Sequence, residues 1–417
     1  MKTTNLIKGI KKLEKQNSQF LHLTAYENQL SKTANSFLSS KLSERYFFGS
    51  GINGIVDWNP FNCLGLKEIQ DVINEASKAM KKMLGCESVN FSPLSGVHAM
   101  MCTILSISKP GDTIMIVRKE DGGHFATKNI IEKTGRKFLY APFDLKTLDF
   151  DIKKIGRLFK KKKCKVLYID ISYCINPINI KKLRKSLGNK AIIVYDASHT
   201  IGLMMGGQFQ SPFTEGVDII CANTHKTLPG PQKGLIAFKN KKLAEKVNLS
   251  INSGLVSSSH THNLIALSIS ILEIEKHGKK YAKQIIKNSN KLGKALEDLG
   301  YEVRKTIDGS YSYNHQIHLY IDKIGNRKIL YKNLVKNNIS TNFDDRLGGR
   351  LFIRLGTQEV TRRGMDGASM KIIARFIDQA LRGENIKNLV TNFNSKYPGI
   401  HYSLDPIIGN SFKKHEK

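Results

Sequence analysis

The hydrophobic pattern changes along the chain from helical spacing to short apolar runs. In residues 67–84, apolar side chains recur every three or four positions, and Gly85 follows. This spacing predicts an amphipathic helix that ends at the glycine. Five short runs come next and are apolar throughout, which is typical of strands covered on both faces. They lie at 113–117, 165–171, 191–197, 217–223 and 234–238.

Helical segments between several of these runs, such as the one after Asn179, indicate α/β crossovers. The pattern predicts an α/β fold with a mostly parallel sheet. A long polar helix is predicted at 275–299, followed by strands at 314–322 and 350–356 and a closing helix at 369–383. We therefore expect an N-terminal arm (1–55), a large domain (56–275) and a smaller C-terminal α+β domain (276–417).

Composition places the chain among globular proteins. Its 417 residues are 40% hydrophobic and 24% charged, which allows two or three domains with sizeable cores. No apolar run approaches the length of a membrane span, and the N-terminus lacks the apolar core of a signal peptide, so we expect a cytoplasmic protein. The six cysteines are scattered without ligand spacing, so neither a disulfide framework nor a metal site is expected.

The formal net charge of +31 raises the question of a nucleic-acid partner. The lysines are spread along the whole chain rather than gathered in one patch. The densest block, at 159–166, leads directly into an apolar strand and lacks the interleaved aromatic residues of a single-strand binding groove. Nucleic-acid binding is therefore disfavoured as the main function.

Asp196 ends the apolar run at 191–197, where a carboxylate is costly unless it is paired. Ligands of α/β sheets bind at the carboxyl ends of the strands. Asp196 and the nearby His199 therefore indicate a site, although Asp196 could instead cap the following helix.

Two further stretches carry candidate chemistry. Ser95 and Gly96 precede an apolar helical run, and small residues there expose backbone N–H groups to an anion. Lys226 follows the run at 217–223, where a low-dielectric interior would lower its pKa and make its amine nucleophilic. A lysine, a carboxylate and an anion site are the groups that pyridoxal phosphate needs, for its Schiff base, its pyridine nitrogen and its phosphate respectively.

On these stretches the chain resembles the serine hydroxymethyltransferase family of fold-type I pyridoxal-phosphate enzymes. The stretch YDASHTIGLMMGGQF at Asp196 is similar to the family's Asp-x-x-His strand end, and THKTLPGP is similar to its lysine motif. IRLGTQEVTRRG (353–364) resembles its arginine motif, and LTAYEN (23–28) resembles its Ser-Glu-Asn segment. The order and spacing of the motifs hold over roughly residues 20–385, so the resemblance implies the fold-type I architecture.

The resemblance also implies a role for each matching residue. Lys226 would form the internal aldimine, Asp196 would pair with the pyridinium nitrogen, and Arg354 would clamp the substrate carboxylate. The other cofactor contacts would be Ser95, Gly96 and Val97 at the phosphate with help from His225, His124 stacked on the ring, and His199 and Ser172 near the 3-oxygen. The alternative for His124 is a buried structural histidine, and the alternative for Arg354 is a surface residue, because FIRLG alternates like an edge strand.

The stretch SKLSERYFFGSG (40–51) departs from the family's pattern. In one alignment Glu44 matches the family's acid/base glutamate, with Tyr46 beside it at the substrate. An alternative alignment pairs 45–47 with a downstream motif and leaves Glu44 unassigned. Tyr26 replaces the family's serine at the substrate, and the loop before Arg354 is shorter than the family's folate-contacting loop.

The matching cofactor residues and the altered folate positions together suggest a reaction. We expect a pyridoxal-phosphate enzyme that makes or breaks the Cα–Cβ bond of a β-hydroxy amino acid through a glycine quinonoid, with an aldehyde as the partner. The alternatives are a tetrahydrofolate-dependent serine hydroxymethyltransferase and a non-catalytic RNA-binding relative. Because this family shares its active site across two subunits, the resemblance also implies a homodimer.

Overall fold

The computed structural model describes residues 3–47 and 67–405. The predicted boundary at residue 55 and the cysteine at position 63 lie outside these ranges. Fifteen α-helices occur in the described part of the chain: α1 Thr3–Asn17, α2 Lys32–Ser36, α3 Lys67–Leu84, α4 Gly96–Ile107, α5 Phe125–Lys133, α6 Ile152–Lys161, α7 Ile180–Leu187, α8 Ile201–Met205, α9 Pro212–Glu215, α10 Lys241–Ser250, α11 Thr261–Asp298, α12 Arg327–Lys336, α13 Gln358–Arg362, α14 Gly367–Leu381 and α15 Lys387–Ser395.

Fourteen strands are found in the same ranges: β1 Leu21–His22, β2 Ser88–Asn90, β3 Thr113–Ile116, β4 Lys137–Tyr140, β5 Phe143–Asp144, β6 Asp149–Phe150, β7 Val166–Ile169, β8 Ile192–Asp196, β9 Ile219–Asn223, β10 Gly234–Phe238, β11 Gln316–Tyr320, β12 Ile339–Ser340, β13 Asn342–Leu347 and β14 Arg350–Gly356. Two 3-10 turns, Lys41–Glu44 and Lys119–Asp121, and a π turn, Ile251–Leu255, complete the helical elements.

The central element is a seven-stranded sheet with the order β2-β10-β9-β8-β7-β3-β4. Strands β4, β3, β7, β8 and β9 pair in parallel, whereas β10 runs antiparallel to both of its neighbours. Side chains of β7 and β10 are buried on both faces, since helices cover the two sides of the sheet. The predicted α/β fold with a mostly parallel sheet is confirmed, and all five predicted apolar runs are strands of this sheet.

The C-terminal part has its own core. Strands β11, β14 and β13 form an antiparallel sheet, and buried side chains of β11 and β14 share one core with those of α12 and α14. Strand β1, which was assigned to the N-terminal arm, pairs in parallel with β12 in this part of the molecule. Leu21 and Leu23 are fully buried in the C-terminal core because of that pairing. The backbone N–H of Gly356, the last residue of the strand that carries Arg354, donates a hydrogen bond to the main-chain oxygen of Leu23 at 2.7 Å.

Helix α11 joins the two cores. It has 38 residues and begins at Thr261, well before the predicted start at residue 275. The first half, THNLIALSISILEI, is buried almost all round, so it lacks the polar face by which the second half was recognised. The buried apolar residues between Leu264 and Ile285 pack in the core around the large sheet. Leu292 and Leu296 pack in the smaller C-terminal core. The predicted domain boundary thus falls within a continuous helix.

The structure also locates the lysine block and the cysteines that were considered in the sequence analysis. The lysine block Lys160–Lys163 lies exposed at the end of α6, where cations are favourable near a helix C-terminus. The cysteines at 86, 102, 164, 174 and 221 are free thiols. Within residues 3–47 and 67–405, no cluster of three or more potential metal ligands occurs, and no helix is both long and apolar enough to cross a bilayer.

Candidate active site

The carboxyl ends of β7, β8 and β9 meet at one edge of the large sheet, and a cleft opens there. Its empty space is about 400 Å³ and is open to solvent. This is the edge at which parallel α/β sheets bind ligands. The residues that line the cleft are Gly96, Val97, Met100, His124, Thr127, Asp170, Ile171, Ser172, Asp196, Ser198, His199, Asn223 and Lys226.

Lys226 reaches the cleft from the turn that follows β9. Its amine Nζ lies 3.2 Å from Nε2 of His199. Burial lowers the pKa of Lys226 to about 8; Asp196 opposes this shift, and Arg354 adds to it. Asn28, in the segment that resembles the family's Ser-Glu-Asn, donates a hydrogen bond to the main-chain oxygen of Lys226. The amine is therefore held in place, and it sheds its proton more readily than a surface lysine does.

Asp196 is the last residue of β8, and its side chain lines the cleft. One oxygen accepts a hydrogen bond from the backbone N–H of Ser198 at 2.9 Å. The other accepts one from the hydroxyl of Tyr168 at 3.3 Å. These bonds orient the carboxylate at the floor of the cleft. The bond from Ser198 also stabilises the turn after β8, which is close to the capping role considered as the alternative for Asp196.

His199 lies between Lys226 and the C-terminal domain. Its ring stacks on that of His315 with 5.7 Å between the centroids and an interplanar angle of 14°. Burial, together with the charges of Lys226 and Arg354, lowers the pKa of His199 far below its usual value. The ring is consequently neutral, and its Nδ1 atom is buried without a hydrogen-bond partner among the described residues.

His124 occupies the N-cap of α5 and faces the cleft. Its Nδ1 atom accepts a hydrogen bond from the backbone N–H of Ala126 at 3.3 Å. Burial lowers the pKa of His124, an effect that Asp196 opposes. A neutral ring that accepts at Nδ1 carries its proton on Nε2, which remains available to a ligand.

The N-terminus of α4 forms one end of the cleft. Ser95 is the N-cap, and its hydroxyl accepts a hydrogen bond from the backbone N–H of His98 at 3.1 Å. Gly96 is closely approached by Asn223: a Cβ at position 96 would lie 2.7 Å from the amide carbon of that side chain. Gly96 and Val97 line the cleft, whereas Ser95 is not among its lining residues. The backbone N–H of Gly96 donates to Oδ1 of Asn223 at 2.7 Å, so an anion at the first turn of this twelve-residue helix would bind the N–H of Val97 or displace the side chains of Asn223 and Ser95.

Arg354 lies on β14 and is 5% exposed, so it is not the surface residue of the alternative interpretation. Its Nη1 atom donates to the main-chain oxygen of Ser172, a residue of the cleft, at 3.0 Å. Its guanidinium carbon lies 4.9 Å from the ring centre of Tyr173 and 5.8 Å from that of Tyr26. Arg354 therefore lies beside the cleft, and its guanidinium has aromatic rings on two sides.

Four of the expected site residues lie elsewhere in this single chain. One of them, Tyr26, is 42% exposed and lines a different groove with Tyr331 and Phe343. His225 lines a separate groove with Asn28 and Pro231, and burial lowers its pKa to about 4. Glu44 and Tyr46 are exposed and do not line the cleft. Their segment is held near the start of α11 because Thr261 donates a hydrogen bond to the main-chain oxygen of Arg45.

Four polar residues of the cleft were missed by the sequence analysis: Thr127, Asp170, Ser198 and Asn223. Asp170 and Asn223 are the first residue after β7 and the last residue of β9. Each is a polar residue that follows an apolar run, the same signal that drew attention to Asp196. Applied to every strand, that signal would have found both.

These groups fit pyridoxal phosphate. The cleft offers an amine with a lowered pKa, a carboxylate on its floor and a helix N-terminus at one end. The unpartnered Nδ1 of His199 is a buried polar atom in the same wall. Lys226, Asp196 and the first turn of α4 would hold the aldehyde carbon, the ring nitrogen and the phosphate of the cofactor, respectively.

Comparison with known protein families agrees with this geometry. A model of the serine hydroxymethyltransferase family matches residues 1–377. Serine hydroxymethyltransferase of Methanocella arvoryzae is 33% identical over 399 residues, which cover 92% of each chain.

Two further similarities involve transaldolases. Fluorothreonine transaldolase of Streptantibioticus cattleyicolor is 34% identical over 400 residues, or 94% of this chain, and this chain spans 63% of that longer protein. A crystal structure of L-threonine transaldolase from Pseudomonas fluorescens, in its internal aldimine state, superposes with a TM-score of 0.88 at 27% identity and covers 96% of this chain and 93% of that one.

Proposed function

This chain belongs to the serine hydroxymethyltransferase family of pyridoxal-phosphate enzymes, and we propose that it makes or breaks the Cα–Cβ bond of a β-hydroxy amino acid with an aldehyde as the carbon partner. The observation that carries the proposal is the position of Tyr26, whose ring lies 5.8 Å from the guanidinium of Arg354. The carboxylate-binding arginine is retained, while an aromatic ring stands where the family pattern has a serine.

Bound pyridoxal phosphate supplies an aldehyde that an amine can attack and a ring that delocalises the negative charge formed at Cα. The chain supplies the remaining requirements. Lys226, with a pKa of about 8, is about one tenth unprotonated at about pH 7, far more than an ordinary lysine, and can act as the nucleophile. The carboxylate of Asp196 would hold the proton of the ring nitrogen and stabilise the delocalised charge.

Arg354 would orient the amino acid. A guanidinium binds a carboxylate through two parallel hydrogen bonds. The bond from Arg354 to the oxygen of Ser172 and the flanking rings of Tyr26 and Tyr173 restrict where the guanidinium can point. A fixed carboxylate in turn fixes which bond at Cα is broken.

His124 would form a hydrogen bond to the β-oxygen of the substrate. Its neutral ring carries a proton on Nε2, because Nδ1 accepts from Ala126. In bond formation the aldehyde oxygen becomes an alkoxide, and the Nε2–H of His124 would donate a hydrogen bond that stabilises its charge. In cleavage the β-hydroxyl must lose its proton as the aldehyde forms, and the amine of Lys226 in the same cleft would accept it. Neither direction needs a group to open a folate adduct.

An ordinary tetrahydrofolate-dependent serine hydroxymethyltransferase is the second candidate. The similarity to the Methanocella arvoryzae enzyme over 92% of each chain favours it. In that case Glu44 would be the acid/base group. Since Glu44 is exposed and outside the cleft of one chain, it would act in the site of a second subunit.

The proposal also includes the oligomeric state of the protein and its cellular location. We expect a homodimer in the cytoplasm, in which the segment with Glu44 and Tyr46 reaches the partner's cleft. The groove beside His225 and Asn28 would be part of the contact between subunits.

A transfer assay tests the proposal. Purified protein with pyridoxal phosphate is mixed with L-threonine, L-serine or glycine and a panel of aldehydes, with and without tetrahydrofolate. Release of acetaldehyde from threonine and formation of new β-hydroxy amino acids without folate would support an aldehyde partner. Turnover of serine alone, and only when tetrahydrofolate is present, would establish the second candidate instead.

A further inference from the structure

Asp170 is a carboxyl group in the cleft that the proposed reaction does not use. It directly follows β7 and is 4% exposed. In the parallel pair β7–β8, Ile169 lies opposite Tyr195, so Asp170 and Asp196 end neighbouring strands. Both side chains line the same cleft. The floor of the cleft therefore contains two carboxyl groups rather than one.

The two oxygens of Asp170 have different surroundings. Oδ2 accepts hydrogen bonds from the backbone N–H of His124, at 3.2 Å, and from the hydroxyl of Thr127. Oδ1 is buried and has no hydrogen-bond partner among the described residues. Because His124 and Thr127 lie at the start of α5, Oδ2 fixes the position from which the ring of His124 enters the cleft.

The electrostatic surroundings favour a neutral Asp170. The pKa of Asp170 is raised to about 7: burial is the main cause and Asp196 on β8 adds to it, whereas the bonds from Thr127 and His124 on α5 oppose the shift, so the neutral form prevails below about pH 7. The other titratable groups near this end are the hydroxyl of Tyr168 on β7, the ring of His199 after β8 and the amine of Lys226 after β9. Two neighbouring carboxyls do not ionise together readily. Asp196, the more exposed of the two, is the better placed for the charge.

We propose that Asp170 is a positioning residue that acts as an uncharged acid: Oδ2 fixes His124, and the neutral carboxyl leaves Asp196 as the one carboxylate anion on the floor of the cleft. The inference rests on the proposed binding of pyridoxal phosphate. A second anion beside Asp196 would change how strongly the ring nitrogen and Asp196 hold the proton between them. Ionisation of Asp170 should therefore be visible in the absorbance of the bound cofactor.

Two variants separate these roles. Asp170→Asn keeps the shape and an oxygen that accepts from His124 and Thr127, but it cannot ionise. Asp170→Ala removes the acceptor as well. Asp151→Asn is the matched control, because Asp151 caps α6 by accepting from the backbone N–H of Lys154, away from the cleft. For each holoenzyme, the dissociation constant of pyridoxal phosphate and the visible spectrum between about pH 6 and about pH 9 are measured without substrate.

The wild type should show a spectral transition near neutral pH. Asp170→Asn should lose that transition and bind the cofactor within about threefold of the wild type, and Asp170→Ala should bind it about tenfold more weakly or worse. Asp151→Asn should match the wild type in both measurements. The inference is wrong if Asp170→Asn keeps the transition, or if it weakens cofactor binding as much as Asp170→Ala does.

These outcomes are distinct from a failure of the proposed function. A wild-type protein that does not bind pyridoxal phosphate would overturn both proposals. A protein that binds the cofactor and shows the predicted variant spectra, but transfers nothing between threonine and aldehydes, would overturn the proposed function alone.

Discussion

Lys226 and Lys233 stand at the two ends of one turn between β9 and β10, and burial lowers the pKa of both, but their amines have different surroundings. Nζ of Lys226 lies 3.2 Å from Nε2 of His199 in the cleft. Nζ of Lys233 contacts main-chain oxygens, that of Ser259 at 2.6 Å and that of Ser92 at 3.4 Å. A lowered pKa alone therefore does not distinguish a chemical lysine from a structural one, and the neighbouring groups do.

Replacing each lysine in turn tests this distinction. Lys226→Ala should abolish the visible absorbance that develops when pyridoxal phosphate is added, since the amine that bonds to the cofactor is lost. Lys233→Met should retain that absorbance, although this lysine has the lower pKa, about 7. Absorbance titration of both variants with the cofactor provides the measurement. Retention of the band by Lys226→Ala would refute the assignment of the whole site.

Because of Lys233, the free energy of unfolding should increase as the pH rises above about 7. Its pKa is about 7 in the folded chain and about 10.5 in the unfolded chain, so between these values only the unfolded state holds the proton. Stability consequently rises with pH in this window. From about pH 7 to about pH 9, the wild type should gain on the order of 2 kcal/mol relative to Lys233→Met.

Urea unfolding at a series of pH values measures that difference. The control is Lys239→Met, because Lys239 lies just after β10 and is exposed, whereas Lys233 lies just before β10 and is buried. Lys239→Met should follow the wild type at every pH. Parallel stability curves for the wild type and Lys233→Met would show that the buried amine keeps its proton.

Arg354→Lys should weaken binding of the amino acid while leaving the cofactor in place. An ammonium cannot form the two parallel bonds of a guanidinium, so KM for the donor should rise by about 10- to 100-fold with a smaller change in kcat. The cofactor absorbance should be unchanged. Arg304→Lys is the control: its guanidinium donates to the main-chain oxygen of Leu145 and, at 3.1 Å, to the hydroxyl of Tyr320. An unaltered KM in Arg354→Lys would remove the arginine from the substrate site.

A fully buried ion pair holds the C-terminal segment. Arg362 and Glu273 have no exposed side-chain surface, and Nη2 of Arg362 lies 2.6 Å from the carboxylate. Arg362 also donates to the main-chain oxygen of Tyr402, and Glu273 accepts from the backbone N–H of Leu404. Arg362→Met should lower the free energy of unfolding by about 3–5 kcal/mol, because it leaves an unpaired buried carboxylate.

The matched comparison is Arg350→Met, because Arg350 is 34% exposed and its partners Glu302 and Asp322 are 50% and 32% exposed. That change should cost less than about 1 kcal/mol. The double variant Arg362→Met/Glu273→Leu should recover much of the lost stability, since no unpaired charge remains. Equal losses for Arg362→Met and Arg350→Met in urea unfolding would contradict the role of the buried pair.

The sequence predicted the inner strands of the large sheet well because they are buried on both faces. Strand β10 is apolar throughout, and every side chain in it is buried. The edge strands escaped detection: β4, with the sequence KFLY, begins with an exposed lysine, and β2 has only three residues. The start of α11 was placed too late, because its first half is buried almost all round and shows no helical polar face.

For the site, local patterns found residues at strand ends but not the neighbours that the fold brings to them. Asp196 and Lys226 were recognisable from the strands that precede them. The proximity of Tyr26 to Arg354 depends on the parallel pairing of β1 with β12 and on a bond from the backbone N–H of Ala25 to Asn342. No local pattern encodes pairings between opposite ends of a chain.

The most direct test of an aldehyde partner is the absorption spectrum of the cofactor-loaded protein with glycine, recorded before and after tetrahydrofolate is added. We predict that glycine alone produces a long-wavelength band, which reports charge delocalised from Cα into the cofactor, and that tetrahydrofolate leaves the band unchanged. A band that appears or grows only with tetrahydrofolate would contradict the account and identify a folate-dependent hydroxymethyltransferase.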